Sequence, residues 1–253
     1  MEIRRPQTRE EYILGLELAA PSAALMSLAP SELVLADDKP TAFVDAGSTV
    51  SFISGIPVER QQDVLNATLL AQLAANKKFD REKATEQWYG YYREVLENVG
   101  WVLQSFSFAR YEESGVTLKM DKAALEIIAA IASGNEAAVL TSTLDALSKL
   151  DPGDPAFTLF DANGSSGEGG NFQLGTCSAD PSGNVSMALG AFYFETTVHQ
   201  GRFLFWSWET KDINLYTGGQ NVVLNEQIYA TVRQLVIDKL GDRAKTFVAG
   251  LDI

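Results

Sequence analysis

Two side chains of this sequence could support nucleophilic chemistry, because the chain holds one cysteine, Cys177, and one histidine, His199. A cysteine is activated for attack on a carbonyl when an imidazole stabilises its thiolate, which requires the two side chains to lie close together. His199 falls in a predicted hairpin turn, where a histidine more often faces water. A lone cysteine closes no internal disulfide, so we expect a fold that does not depend on oxidation.

Cys177 lies in a predicted strand, where alternation places its side chain on the same side as Gln173 and Gly175. One interpretation is a small apolar side chain buried in the core. The other is a thiol that carries a fatty acyl chain in thioester linkage, with aromatic and leucine side chains of neighbouring strands forming an apolar wall. Both interpretations remain open at this point.

Other site chemistries lack their required residues. The glycine-rich run at 164–170 has no phosphate-loop lysine and leads into a strand, whereas such a loop needs a following helix. Oxygen side chains at Asp161, Asn163, Ser165 and Glu168 alternate as in a calcium loop, but their spacing does not match an EF-hand. One cysteine and one histidine are too few for a zinc site. The sequence therefore predicts no metal site, and no cofactor other than a fatty acyl group.

The composition is that of a soluble, acidic globular protein. Apolar residues make up 46% of the 253 residues, and the net charge is −13. Such a surface repels phosphate backbones, and the few basic pairs are flanked by acidic residues, so we expect no nucleic-acid partner. No stretch approaches the roughly 18 apolar residues of a membrane span. Residues 1–6 do not resemble a Sec signal peptide, which predicts synthesis in the cytoplasm and, for any exported protein, a non-classical route.

Helices are predicted where apolar residues recur at the 3.6-residue period. One begins at Pro57. The next begins at Asp80 and carries an aromatic stripe of Trp88, Tyr91 and Tyr92, which we expect to face the core. Further helices are predicted to begin at Asp121, Asn135 and Asn225, with a last short helix over residues 244–251.

Strands are predicted where apolar residues alternate. Residues 105–110 and 116–120 are typical of a β-hairpin, and residues 157–160 of a short strand. Residues 170–224 predict an antiparallel meander, with one of its strands over 202–208. Residues 185–194 are apolar on both alternating sets, which indicates a sheet covered on both faces.

These elements predict an α+β fold, in which an antiparallel meander sheet is covered by helices. Residues 57–253 are expected to form a single domain. Residues 1–56 are expected to form an N-terminal arm packed on it. Aromatic side chains near strand ends would supply a contact patch for a ligand or partner, and the candidates for this binding role are Phe192, Phe194, Trp206, Trp208 and Tyr216.

The sequence resembles one known group of proteins. A single cysteine late in an α/β chain between helical layers, with no signal peptide, is similar to the bacterial virulence factors of the Evf type, the Erwinia virulence factor family. The resemblance covers residues 57–253 and rests on architecture, chain length and the position of Cys177 in Asn-Phe-Gln-Leu-Gly-Thr-Cys-Ser. It implies a non-enzymatic protein that acts on host cells, with a fatty acyl group such as palmitate on Cys177.

Three functional hypotheses follow. The first is a non-enzymatic virulence or toxin-like protein that acts on host cells or membranes, S-acylated on its single cysteine. The second is a module that binds a small ligand or a partner, for which an apolar pocket or patch would be the sign. The third is a hydrolase with a Cys177–His199 pair or two carboxylates, although no spacing selects a pair among the 33 acidic residues. The sequence favours the first and leaves the oligomeric state open.

Overall fold

A mostly antiparallel sheet forms the centre of the protein. The computed structural model describes residues 7–26, 33–165, 169–180, 182–198 and 202–253. The strands are β1 (Thr41–Asp45), β2 (Ser48–Phe52), β3 (Trp101–Val102), β4 (Ala109–Arg110), β5 (Thr117–Lys119), β6 (Gly169–Ala179), β7 (Val185–Thr196), β8 (Ser207–Glu209), β9 (Ile213–Leu224) and β10 (Val248–Leu251). Eight of them form one sheet in the order β10-β1-β2-β6-β7-β9-β3, with β4 also paired to β9. The remaining two, β5 and β8, pair with each other.

The helices cover this sheet. They are α1 (Arg9–Gly15), α2 (Ala23–Met26), α3 (Val58–Lys78), α4 (Thr85–Asn98), α5 (Met120–Ala129), α6 (Gly134–Lys149), α7 (Pro155–Gly164), α8 (Glu226–Leu240) and α9 (Arg243–Phe247). Helices α3 and α4 pack together on one face, with α8 against α3, and α5, α6 and α7 lie on the other face. The predicted α+β class, a largely antiparallel sheet covered by helices, is confirmed.

Strand β6 lies between the two helical layers, and its successive side chains point alternately to the α3–α4 layer and to the α5–α7 layer. Gln173 bonds to the Tyr89 hydroxyl of α4, whereas the Thr176 hydroxyl donates to the Glu136 carbonyl of α6. Cys177 therefore shares the α3–α4 face with Gln173, as alternation predicts. All three side chains of β6 are buried, because both faces of the strand are covered.

The meander is confirmed only for its long strands. Strands β6, β7 and β9 are antiparallel neighbours, each of 11 or 12 residues. The predicted strand over 202–208 is wrong. Phe203–Phe205 form a 3₁₀ turn, and the following strand β8 leaves the main sheet to pair with β5. The hairpin predicted over 105–120 is also wrong, because β4 pairs with β9 and β5 with β8.

Two further short segments differ from their predicted type. Residues 157–160 lie in helix α7, because the Asp154 side chain caps the backbone N–H of Ala156 at 2.8 Å and Pro155 occupies the first helical position. The last helix ends at Phe247. Residues 248–251 instead form β10, which pairs with β1 and becomes the edge strand of the sheet.

Three of the predicted helix starts lie a few residues from the observed ones. Ser133, not Asn135, caps α6, in a capping box with Glu136. Helix α5 begins at Met120, with Lys119 and not Asp121 at the cap. Asp80 caps the turn that precedes α4, accepting from two backbone N–H groups, while α4 itself begins at Thr85. Asn225 caps α8 as predicted.

Part of the N-terminal segment enters the central sheet. Strand β1 lies between β10 and β2, and β2 runs parallel to β6. Helix α1 packs on α4 and α8. Among the described residues, no helix combines the length and the apolar character that crossing a bilayer demands.

Candidate functional site

A cleft lies between helix α4, the segment 105–110 and the ends of strands β7 and β9. Its volume is about 510 Å³, within the usual range for small-ligand sites. We call it the aromatic cleft. It is lined by Glu86, Tyr89, Gly90, Arg93, Ser105, Phe106, Phe108, Arg110, Tyr193 and Tyr216.

Tyr89 joins the cleft to the sheet. Its hydroxyl accepts a hydrogen bond from Gln173 Nε2 at 2.8 Å and lies 3.2 Å from the Phe192 carbonyl oxygen, to which it donates. Burial raises the pKa of Tyr89 far above that of a free tyrosine, so the phenol stays neutral. The ring contacts Phe106 and Phe108, with centroids 5.0 and 4.8 Å away. Hydrogen bonds to β6 and β7 thus hold Tyr89 in the aromatic wall that it forms with Phe106 and Phe108.

The sheet side of the cleft is a pair of stacked tyrosines. Tyr193 on β7 and Tyr216 on β9 are directly opposite in register, with ring centroids 4.5 Å apart and planes only 7° apart. Phe108 meets Tyr193 edge-on at 5.0 Å. Both tyrosines remain partly exposed. Burial raises the pKa of Tyr193, and Tyr216, Glu195 and Glu86 add to the shift. The pair therefore offers phenol hydroxyls beside apolar ring surface.

Two arginines bring positive charge to the cleft. Arg93 donates to the Ser105 hydroxyl and forms a long ion pair with Glu97, in which Nε lies 3.8 Å from the carboxylate oxygen, beyond hydrogen-bond distance. That Nε is shielded from solvent and has no hydrogen-bond partner. Arg110 donates to Asn214 Oδ1 at 2.7 Å and forms no ion pair within the described part of the chain. Each guanidinium has five N–H donors, so most donors of both arginines stay available.

Gly90 forms the open floor of the cleft. It lies inside α4, a helix of 14 residues, where glycine is about 1 kcal/mol less favourable than alanine. A Cβ built there meets no atom within 4 Å. The space in front of Gly90 is therefore part of the cleft, and a larger side chain at this position would project into it.

Cys177 lies elsewhere, in the middle of the sheet. It is fully buried between β2 and β7, with Phe52 and Met187 as its register partners. Burial raises the pKa of the thiol well above its usual value, with a smaller contribution from Glu136, so the sulfur stays protonated and weakly nucleophilic. His199 lies outside the described residues. S-acylation of Cys177 stays a prediction.

The five aromatic residues proposed for binding separate into three environments. Tyr216 lines the aromatic cleft. Phe192, Phe194 and Trp208 are buried, because helices cover both faces of the sheet. Trp206 is 43% exposed and lines none of the three cavities described for this chain. Sequence patterns missed the other aromatic and arginine side chains of the cleft. In the sequence, the only sign of the cleft was Gly90, a glycine inside a segment with a strong helical pattern.

One acidic cluster is explained by ion pairs. Carboxylate oxygens of Glu59, Asp63 and Glu226 lie within 4.8 Å of one another. Arg233 on α8 binds both oxygens of the buried Asp63 at 2.8 Å, and Arg60 binds one at 3.0 Å. Because the guanidinium groups already occupy these oxygens, the cluster serves as a link between α3 and α8.

A further carboxylate is buried in the core. Asp45 on β1 is fully shielded from solvent, and burial raises its pKa from 3.8 to about 8. The Thr68 hydroxyl donates to Asp45 Oδ2 at 2.5 Å, which opposes the shift, while Oδ1 has no partner. Asp45 is therefore a neutral acid below about pH 8.

Comparison with known proteins gives structural neighbours only. No family model and no curated protein matches the sequence. Among solved structures, the chain is similar to a delta-endotoxin, with 11% identity and a TM-score of 0.40 over 81% of this chain and 90% of that one. It is also similar to the Evf virulence factor, with 14% identity and a TM-score of 0.33 over 78% of this chain and 82% of that one. The resemblance expected from the sequence thus stands as a weak structural similarity.

Proposed function

We propose that this chain is a non-enzymatic, toxin- or virulence-type protein that acts on host cells or membranes by binding one of their components in the aromatic cleft. The cleft is the observation that carries the binding role. It combines a ligand-sized volume, ring surfaces held by the sheet and two arginines with available donors. The host-directed part of the proposal comes from the sequence resemblance.

The groups that line the cleft are suited to recognition. Burial raises the pKa of Tyr89 and of Tyr193, which keeps these phenols neutral, and Arg93 and Arg110 supply guanidinium donors. Neither type is poised to exchange a proton near neutrality, as a general acid or base must be. Aromatic and arginine side chains are the residues that most often contribute the binding energy of an interface.

The test compares the full chain with variants in which the cleft is filled. Association with cultured host cells and with phospholipid vesicles is measured for the wild type, for Gly90→Phe and for Gly134→Phe. Gly134 is a matched control, because it is also a helical glycine with open space around it but lies on α6. We expect Gly90→Phe to reduce association at least about tenfold. Equal association of Gly90→Phe and the wild type would remove the cleft from the mechanism.

We also propose that Cys177 is the attachment site of a fatty acyl chain. Transfer from an acyl thioester forms a bond between the acyl carbon and Cys177 Sγ and releases the donor as a free thiol. Because the thiol is buried and protonated in the folded chain, attachment has to precede closure of the sheet. We expect the intact mass of the native protein to exceed the sequence mass by an acyl group that hydroxylamine removes and Cys177→Ala lacks. An unmodified mass would refute acylation and leave the cleft proposal untouched.

A further inference from the structure

The aromatic cleft also indicates what kind of molecule it binds. We infer that it takes an amphipathic organic anion, whose carboxylate or phosphate oxygens pair with Arg93 and Arg110 and whose ring or acyl body lies over Gly90 against the aromatic wall. This ligand class rests on the proposed role of the cleft as the binding site.

The charge in the cleft differs from that of the whole chain. The protein has a net charge of −13, yet the lining residues include two arginines and one glutamate. The hydrogen-bond partners of both arginines, Ser105 and Asn214, are neutral side chains. Arg93 also forms a long ion pair with Glu97, in which Nε lies 3.8 Å from the carboxylate and stays without a hydrogen-bond partner. A shielded donor of this kind is unfavourable until an acceptor comes within hydrogen-bond distance. An anionic oxygen supplies that acceptor and forms the strongest kind of hydrogen bond with a guanidinium.

Helix α4 separates the charges of the cleft. Glu86, Gly90 and Arg93 follow one another at helical spacing, so they lie along one face of the helix. Arg93 lies seven positions after Glu86, which is about 10 Å along the helix axis. At physiological salt, screening over that distance leaves Glu86 little influence on an anion at Arg93. The apolar part of the ligand then lies between them, over Gly90.

Gly90 leaves room in the cleft for the body of a ligand. The helix retains a glycine where alanine is more stable by about 1 kcal/mol. A Cβ at this position meets no atom within 4 Å, so any side chain there would project into the cleft that Phe106 and Tyr193 also line. A ligand body can therefore approach the α4 backbone directly. The faces of the same rings would attract a cationic ligand, but the positive charges of Arg93 and Arg110 would repel it.

Three matched probes test the class of ligand on the full chain. They are naphthalene-2-carboxylate, the neutral 2-naphthylmethanol and the cationic 2-naphthylmethylammonium, titrated calorimetrically at physiological salt. We expect the carboxylate to bind about tenfold more tightly than the alcohol. Arg93→Gln and Arg110→Gln should each reduce that preference. Gly90→Phe should abolish binding, and Gly134→Phe should leave it unchanged.

The outcomes separate the ligand class from the proposed function. Equal or tighter binding of the alcohol or the ammonium, still blocked by Gly90→Phe, would overturn the anion inference and keep the cleft as a binding site. Absence of binding by all three would also overturn the inference, and the host-cell assay with Gly90→Phe would then decide the proposed function. Competition by phosphatidylserine vesicles, but not by soluble octanoate, would identify a lipid headgroup as the source of the anion. Competition by octanoate alone would identify a free small molecule.

Discussion

The buried carboxyl of Asp45 gives this acidic protein a testable dependence of stability on pH. Its pKa is about 8 in the folded chain and 3.8 when free, so the folded state holds a proton that the unfolded chain releases. The contribution of Asp45 to the free energy of unfolding is fully present below about pH 4. It declines as the pH rises and is lost once the pH passes about 8. Each unit of difference corresponds to about 1.4 kcal/mol, so the total is several kcal/mol.

We therefore expect Asp45→Asn to flatten the stability profile between pH 5 and pH 8 and to be more stable than the wild type at pH 8. The amide keeps the size of the neutral acid and accepts the Thr68 hydrogen bond, but it never ionises. Urea unfolding at both pH values measures the effect. Asp38→Asn, at an exposed position, serves as the control. An unchanged slope in Asp45→Asn would show that the carboxyl already ionises at low pH in the folded chain.

Single residues also show where sequence patterns reach their limit. Alternation correctly placed Cys177 on the face of Gln173, because strand geometry fixes side-chain direction. It could not separate Tyr216, which lines the cleft, from Phe192 and Trp208, which are buried. Whether an aromatic side chain on a strand is exposed depends on which strand ends the helices leave uncovered. A local sequence pattern carries no information about that packing.

At the scale of elements, the contact between α3 and α8 rests on a buried ion pair. Burial raises the pKa of Asp63, and the two hydrogen bonds from Arg233 oppose that shift. Arg233→Met removes this partner and leaves a buried carboxylate held only by Arg60. We expect a loss of about 2–4 kcal/mol in the free energy of unfolding, somewhat less than for a buried charge left with no partner.

Urea unfolding and a matched surface variant measure that loss. Lys245→Met breaks an ion pair with Asp242, in which both side chains are largely exposed, so we expect a change below about 1 kcal/mol. The double variant Arg233→Met with Asp63→Asn should recover part of the stability, because no buried charge remains. Similar losses for Arg233→Met and Lys245→Met would show that the α3–α8 pair is energetically a surface contact.

Elements with a strong local signal were predictable, and those fixed by distant partners were not. The long helices that begin after Pro57 and Asn225 follow from apolar periodicity, and the second also from the side-chain cap that Asn225 provides. Residues 105–120 alternate like a hairpin, but β4 and β5 find partners about a hundred residues away, in β9 and β8. Alternation identifies a strand and one buried face without naming its partner. The cleft lies beside this non-local pairing, so its aromatic wall was not predictable either.

The topology of the whole molecule makes the N-terminal segment part of the central sheet. Strands β1 and β2 lie between β10 and β6. Strand β1 pairs with β10 and β2, and strand β2 pairs with β1 and β6, so both have backbone partners on each side. Their ten residues are all buried. A deletion of residues 1–53 removes both strands, leaves β10 without a partner and exposes the edge of β6.

We expect that deletion to abolish cooperative unfolding and to cause aggregation, since an uncovered edge of a long strand readily pairs with other chains. The matched control deletes residues 1–22, which removes α1 but no strand of the sheet. It loses the burial of Ile13 and Leu16, worth a few kcal/mol, and should still unfold cooperatively at a lower temperature. Calorimetry and light scattering compare the two. Cooperative unfolding of the longer deletion near the wild-type temperature would instead show that the domain predicted over residues 57–253 does not need the N-terminal segment to fold.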